Sequence, residues 1–383
     1  MNDSSVNLLN VRGRIAIIGN YDKYGAIERD LADLIIYWVN KRGLCVDMLL
    51  YREGECFYPE EISSLVNVFN LKTTHKITTL LSLSRYLYHV KPDVLLSNKL
   101  NPNRFTSCSK ALPGLSTRSF LCFHNTYSKL PGIASQKPFK KFLKKLSLRI
   151  SCLLADGIIA VSQGVADDLV QEFGVPSNKI NVIYNPVITP DIYKKSYEKA
   201  DHPWFCSHDV PVILGVGRLS YEKDFPTLIR AFASVRQHLN CKLVILGEGN
   251  ERERLYKLIE ELGIQKDVDL PGFVSNPYPF MAQSDVFVLS SLWEGLPTVV
   301  IEALALNTPV ISTDCPSGPR EILKDGKLGS LVPMGDPEKM CRTICDFLYD
   351  KIEYSYPRSA LLPYTVEFSS EKYLNVIGLK NYK

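Results

Sequence analysis

No long apolar run interrupts this 383-residue chain. The longest unbroken one, 34-LIIYWV-39, falls far short of the roughly 20 residues a bilayer-crossing helix needs. Met1 to Asn10 hold neither a basic stretch nor an apolar one of leader length, so no secretory signal is expected. The ten cysteines include no C-x-x-C pair, and the nearest two, Cys341 and Cys345, stand one helical turn apart. Buried thiols of a reducing cytoplasm are the expected reading, with metal or disulfide use as the alternative. No G-x-G-x-x-G follows the first predicted strand, which argues against a dinucleotide-dependent dehydrogenase.

What is present describes a globular protein with ample core, 45% apolar and 22% charged, and long enough for two domains. The net charge of +4 conceals an asymmetry. Residues 1–200 hold 26 Lys and Arg against 17 Asp and Glu, whereas 201–383 hold 19 against 24. The first half therefore favours an anionic neighbour.

Strands and helices alternate along the chain. RIAIIG (14–19), CVDMLLY (45–51), DVLLS (93–97), RSFLCFH (118–124), GIIAVS (157–162) and 180-INVIYNPV-187 read as short buried strands. Residues 26–43 and 164–174 read as helices, each closed by a glycine. Residues 188–210 show no periodicity and read as a linker; the pattern then restarts with PVILGVGRLS. Two runs of strand–helix units predict an α/β protein of two doubly wound domains, with ligands at the C-terminal strand ends. The predicted division is 1–190, 191–363 and a terminal segment 364–383.

Four strand-end stretches in the second half carry unusual chemistry. In 215-GVGRLSYEKDFPTLI-229, Gly217, Arg218 and Lys223 stand just before a helix, an arrangement suited to a diphosphate. Surface cations capping a loop are the alternative. The second stretch, 245-ILGEGNERERL-255, is uninformative alone. In 271-PGFVSN-276, Phe273 and the backbone of Val274 could meet a flat base, or Phe273 could be ordinary core. The fourth, 291-SLWEGLPTVVIEALALNTPVIST-313, sets Glu294-Gly295-Leu296-Pro297 ahead of a helix whose first amides, from Thr298, are free for an anion. That helix is apolar all round except Glu302, whose neighbours Thr298, Val299, Ala305 and Leu306 include no cation. A buried carboxylate needs a partner from elsewhere. Eight helical residues span about 12 Å, too far for a retaining hydrolase pair at about 5.5 Å or an inverting one at about 6.5–9.5 Å. Glu294 and Glu302 therefore do separate jobs.

The E-x7-E element, the G-R-L-x-x-x-K loop and SDVFVLSS-x-x-EGLP, together with ADGIIAVSQGVADDLV and INVIYNPV, resemble the retaining glycosyltransferases of family four over most of residues 14–325. The resemblance implies the GT-B fold, two Rossmann-like domains facing a central cleft, the first binding the acceptor and the second the nucleotide sugar. It implies that Glu294 contacts the donor sugar, Glu302 the nucleotide ribose, and Arg218 and Lys223 the diphosphate. No D-x-D stands where a metal-dependent transferase would need one, and the resemblance implies no metal and no cofactor beyond the nucleotide-sugar donor. It also singles out His124, in 121-LCFHNTY-127, as facing the sugar, although a lone histidine at a strand end can be purely structural. The family's Gly-Gly-x-Glu turn reads Gly25-Ala26-Ile27-Glu28: Gly25 keeps the close approach to the diphosphate and the acceptor, and Ala26 departs from the pattern.

In 137-KPFKKFLKKLSLRISCLL-154, Phe139, Phe142, Leu143, Leu146, Ile150 and Leu153 share one helical face, while Lys137, Lys140, Lys141, Lys144 and Lys145 share the other with Leu148 among them. Either a solvated basic face covers a packed apolar one, or the helix meets an anionic membrane through its lysines. The resemblance favours the second, since several relatives that glycosylate lipid-linked acceptors dock through this region. The segment 364-YTVEFSSEKYLNVIGLKNY-382 is expected to return to the first domain. The whole reads as a glycosyltransferase of the cytoplasmic membrane face, moving a sugar from a UDP-linked donor to a lipid-carried saccharide in polysaccharide or O-antigen assembly, with no nucleic-acid partner. The rival readings are a GT-B sugar-nucleotide epimerase, which would need no acceptor, and a non-catalytic scaffold, which has no need to bury charges.

Overall fold

The computed structural model describes residues 13–19, 26–50, 60–71, 76–109, 114–207, 209–350 and 357–380. They form two compact units. The first comprises residues up to Val161, Val165–Pro186 and Val366 onward; the second comprises Val187–Thr365 together with Ser162–Gly164.

The first unit holds β1 (Arg14–Gly19), β2 (Cys45–Leu50), β3 (Val66–Asn70), β4 (Val94–Ser97), β5 (Arg118–Phe123), β6 (Gly157–Ala160) and β7 (Ile180–Val182) in the order β3-β2-β1-β4-β5-β6-β7. The second holds β8 (Val212–Val216), β9 (Lys242–Leu246), β10 (Val268–Gly272), β11 (Val286–Leu289), β12 (Val310–Thr313) and β13 (Ser330–Val332) in the order β10-β9-β8-β11-β12-β13. Every pairing is parallel, from Ile15 against Val94 to Phe287 against Val310. Strands covered by helices on both faces need continuous apolar runs, and RIAIIG, CVDMLL and VFVL supply them. Strand order reverses between β1 and β4 and again between β8 and β11. Loops leaving the two strands there splay apart, so each reversal opens a crevice at the C-terminal strand ends.

In the first unit, helix α1 (Ala26–Arg42) ends at Gly43, whose φ of +64° closes it, and buries Leu31, Leu34, Ile35 and Trp38 against β1 and β2. The late helix Val366–Val376 adds Tyr373 and Leu374 to the same core. Its Tyr373 ring meets Trp38 edge-on at 5.8 Å, and Glu371 accepts hydrogen bonds from Tyr37 at 3.0 Å and Arg42 Nε at 2.8 Å.

One expectation is corrected here, and one of two open alternatives is removed. Residues 188–210 hold helices at Pro190–Ser196 and Pro203–Ser207, with Ile192, Ala200 and Phe205 buried. Each begins at a proline, which suits the first turn, and each is too short to show a period. The second concerns helix α2 (Pro138–Leu154), where the apolar face is not packed. Phe139 is 72% exposed and Phe142 61%, and Leu143, Leu146, Ile150, Leu153 and Leu154 are exposed with them. The helix rests on the unit through Leu148, Ser151 and Cys152, so the residue set among the lysines is the one that packs.

Candidate active site

The second unit assembles its site at the β8/β11 reversal. After β8 the chain passes through Gly217, Arg218 and Leu219 into a tight turn, Tyr221–Lys223. The loop after β9 braces this turn: Leu219 N–H donates to the Glu248 carbonyl at 2.9 Å, and Glu251 N–H donates back to the Leu219 carbonyl at 3.0 Å. Gly247, at φ +137°, lies so close to the Gly217 carbonyl that any Cβ would collide with it. The Gly-Glu-Gly stretch, uninformative as sequence, is thus the floor of the Arg218 loop. Asp224 ends the turn in the left-handed region at φ +43°, its carboxylate accepting from Thr227 Oγ1 at 2.6 Å, and a twelve-residue helix follows from Phe225.

After β11 the chain runs through Ser290, Ser291, Leu292 and Trp293 to Glu294. Lys223 Nζ donates to Glu294 Oε1 at 2.6 Å, and Ser291 Oγ donates to the same oxygen at 2.7 Å. Two further bonds join the loops: Leu292 N–H to the Glu222 carbonyl at 2.8 Å, and Ser290 Oγ to the Lys223 carbonyl at 2.7 Å. Gly217 borders this pair, since a Cβ there would touch the Lys223 side chain at 3.4 Å. The guanidinium of Arg218 is exposed and makes no hydrogen bond or ion pair among the described residues. The loop therefore presents one cation held by a carboxylate and one turned to solvent. Below it, burial and then the nearby Glu294 charge push the Cys315 thiol up to about 12.

The following segment Gly295-Leu296-Pro297 is buried and leads into the helix Thr298–Ala305. Ser317 Oγ donates to the Gly295 carbonyl at 2.6 Å. Glu302 is 1% exposed within that helix, as deep as the leucines around it. Phe273 is not ordinary core: it follows β10 with half its surface exposed, ahead of the half-buried Val274. Gly217, Arg218, Lys223, Phe273, Val274, Glu294, Gly295, Leu296, Pro297, Thr298 and Glu302 all lie in this unit, with Lys223 and Glu294 in direct contact.

His124 lies in the first unit, just past β5. Both of its ring nitrogens are buried without a hydrogen-bond partner among the described residues. Burial, reinforced by the Lys99 charge, pulls its pKa down to about 4, so the ring is neutral at physiological pH. It borders a cavity of about 10 Å³, one water in size, shared with Asp30, Trp38, Asn98 and Asn185. Lys99, just past β4, pairs with Glu28 of α1 at 2.7 Å. Neither the Lys99–Glu28 pair nor the Ser291 bond to Glu294 was read from the sequence. Inspecting every strand-end loop for paired charges would have raised the first; nothing in the sequence signals the second. Gly25 lies outside the described residues.

Of the lysines on α2, Lys145 is engaged: its Nζ meets Glu172 at 2.7 Å and lies over the Phe173 ring. Lys140 is exposed, and Lys141 and Lys144 are half-buried.

Residues 198–360 match the family model described as glycosyl transferases group 1, and residues 27–189 match the one described as glycosyltransferase family 4. The chain is 35% identical over 227 residues to the N-acetylgalactosamine-N,N'-diacetylbacillosaminyl-diphospho-undecaprenol 4-alpha-N-acetylgalactosaminyltransferase of Campylobacter jejuni, covering 58% of this chain and 59% of that one. It is 36% identical over 195 residues to the lipopolysaccharide core biosynthesis glycosyltransferase LpsE of Rhizobium meliloti, covering 51% and 54%. The chain thus spans little more than half the length of these relatives. The solved structure of Anabaena HepE in complex with UDP matches with a TM-score of 0.69 over 96% of this chain and 97% of that one, at 18% identity. Two glycosyltransferase family models side by side, on two parallel sheets that each reverse their strand order beside the candidate residues, place the chain in glycosyltransferase family four, with the GT-B fold.

Proposed function

We propose that the chain is a retaining glycosyltransferase that moves a sugar from a UDP-linked donor to a lipid-carried saccharide in lipopolysaccharide or related cell-surface polysaccharide assembly. The observation that carries the reading is the Lys223–Glu294 pair at the β8/β11 reversal, with the Arg218 guanidinium, unpaired among the described residues, on the same loop. Transfer breaks the bond between the sugar's anomeric carbon and a diphosphate oxygen, and the leaving group departs with the electron pair. Negative charge grows on that oxygen, and fixed cations lower the barrier by meeting it. Arg218 and Lys223 take that role. Glu294, held by Lys223 and Ser291, is presented to the sugar hydroxyls as an acceptor. Glu302 binds the ribose, Phe273 and Val274 the base, and the backbone N–H groups of Gly295, Leu296 and Thr298 the diphosphate. In this reading the two cations supply the charge a divalent ion would otherwise bring. UDP is favoured by its presence in the Anabaena structure, and the lipid-linked acceptor by the undecaprenol-linked substrate named for the Campylobacter relative.

A lipid-borne acceptor requires a route to a bilayer, and no helix of the described residues is long and apolar enough to cross one. The outward apolar face of α2 favours peripheral docking on the cytoplasmic membrane. A helix with large apolar side chains on one face and lysines beside them lies in the headgroup boundary and buries the former in acyl chains.

Incubation with UDP- and GDP-sugars and lipid-linked saccharides, read by mass spectrometry, tests the assignment. An acceptor enlarged by one sugar from a UDP donor is expected, with the donor's anomeric configuration retained by NMR. Conversion of the donor sugar without an acceptor would replace this reading with the epimerase. Failure of every nucleotide to bind would leave the scaffold.

A further inference from the structure

The outward face of α2 is not alone on its side of the first sheet. The connections β3 to β4, β4 to β5 and β5 to β6 all advance in one direction along the order β3-β2-β1-β4-β5-β6-β7. Crossovers between parallel strands are right-handed, so the helices they carry, Lys76–Val90, Leu100–Ser109 and α2, share one face of the sheet. They lie side by side, with Leu100–Ser109 packed against both of the others. The connection β1 to β2 advances the other way and puts α1 on the opposite face.

The helix Lys76–Val90 buries Thr79, Leu83, Tyr86 and Leu87, the last three against Ala16, Ile18, Leu49 and Leu95 of the sheet. Its other side exposes Ile77, Leu81, Arg85 and Tyr88, a line at helical spacing in which Ile77 is 74% exposed and Leu81 65%. A solvated helix sets polar groups there. Charge sets this layer apart as well. From Ile62 to Ala155 the chain holds one acid, Asp93, against fifteen Lys and Arg, where its own average would give about ten acids. Asp93 stands at the N-terminal strand ends, accepting from Arg14 N–H at 2.8 Å, and none of the three helices carries Asp or Glu. The guanidinium groups of Arg85 and Arg104 make no ion pair or hydrogen bond among the described residues.

We propose that the line Ile77, Leu81, Arg85 and Tyr88 is a second membrane contact, docking beside α2 on an anionic bilayer. This rests on the docking reading above and deepens it. A protein partner of ordinary composition presents both signs of charge, and a layer without acids matches only one of them. An anionic leaflet is uniformly negative at its headgroups, and beneath them lies the apolar phase that Ile77, Leu81 and the α2 side chains need. Arginine suits its phosphates, since the guanidinium fork donates to two oxygens at once. Packed helices stand about 8–10 Å apart, so two steps across the layer separate the two contact lines by roughly 20 Å. One line of contact leaves a protein free to roll about it. Two lines fix its tilt and hold the C-terminal strand ends of the first unit, with His124 and the Lys99–Glu28 pair, at a set height over the headgroups.

Tryptophan quenching by brominated acyl chains tests the contact on the full-length protein. Leu81→Trp is mixed with vesicles of phosphatidylglycerol and brominated phosphatidylcholine in equal parts, and its emission is compared with that of the wild type under the same conditions. The expected result is quenching of the added tryptophan beyond any change in the wild type. Ile77→Ser with Leu81→Ser and Tyr88→Ser should lower vesicle partition about tenfold or more, because less apolar area is buried in the boundary. Melting temperature and UDP affinity should stay unchanged, since these side chains are exposed. An unquenched tryptophan in protein that co-sediments, or undiminished partition of the triple serine variant, confines docking to α2 and overturns the second contact. A wild-type dimer in solution that the serine variant dissolves gives the line to a second copy of this chain and overturns the bilayer as its occupant. Wild-type protein that ignores the anionic vesicles at low salt removes the docking reading itself, and this contact with it.

Discussion

Lys223 Nζ donates to Glu294 Oε1 across 2.6 Å, joining the loop after β8 to the loop after β11. Their charges are mutually satisfied before any donor arrives. Lys223→Ala should therefore do two things at once. Turnover should fall about 100- to 1000-fold, the usual loss for one donor to a developing oxyanion. Stability should fall by about 1–3 kcal/mol, because a partly buried carboxylate loses its cation. A thermodynamic cycle with Glu294→Gln checks the pairing: near-additive losses in melting temperature would mean that the pair does not couple.

Arg218 offers the opposite case. With no partner among the described residues for its guanidinium, Arg218→Ala should leave the melting temperature almost unmoved while cutting turnover about 100-fold or more. Turnover of the wild type should persist in EDTA. Strict dependence on a divalent metal would reassign the neutralising role away from Arg218 and Lys223.

Glu302→Gln tests the ribose contact. A carboxylate accepts at two oxygens and an amide at one, so one ribose hydroxyl loses its acceptor. Calorimetry should show UDP affinity weakened by roughly tenfold, the equivalent of about one hydrogen bond to a charged group. Equal affinity in both proteins would sink the contact.

His124 makes a pH prediction with a definite sign. Its folded pKa of about 4 lies below the ordinary 6.5, so between those values the unfolded chain binds more protons than the folded one. Stability contributed by the neutral ring is therefore fully present above pH 6.5 and is lost as pH falls toward 4, by up to about 3 kcal/mol. Denaturant titrations at pH 7.5 and 4.5 should show the wild type losing stability more steeply than His124→Gln, which carries no titrating ring. Identical pH slopes would show that the ring is not enclosed in solution.

Docking through α2 should survive salt in a way that lysines alone would not allow. Ionic attraction fades as the screening length falls from about 10 Å at 0.1 M to about 3 Å at 1 M, whereas burial of aromatic and aliphatic groups does not. Changing Phe139, Phe142, Leu146 and Ile150 to Ser should abolish co-sedimentation with anionic vesicles even at low salt. Changing Lys140, Lys141 and Lys144 to Glu should weaken it most at low salt. Wild-type protein that ignores anionic vesicles at 50 mM salt would remove the membrane from the proposal.

Much of the architecture was legible because parallel strands buried on both faces leave unbroken apolar words such as RIAIIG and VFVL, and because cations and glycines gather where those words end. Glu302 was conspicuous for a related reason, as an acid in a helix with no polar face. The direction in which α2 presents its apolar side was not legible. Helical spacing groups Phe139 with Ile150 but cannot say whether that group or Leu148 meets the domain. Phe273 was ambiguous for a similar reason, since a phenylalanine after a strand can be core or site until the neighbouring loops are in place. The helices in 188–210 escaped because a helix of five or seven residues completes too few turns to show its period.

The segment that begins with the helix Val366–Val376 supplies Tyr373, Leu374, Ile377 and Leu379 to a core otherwise built before residue 184. During synthesis the whole second unit, Val187–Thr365, is made before those side chains exist. A nascent chain paused near residue 365 would therefore hold every residue of the second unit, while the first unit still lacks the side chains that cover Trp38. The half of the protein made first is the half finished last, and it is the nascent-chain segment that a chaperone would have to shield.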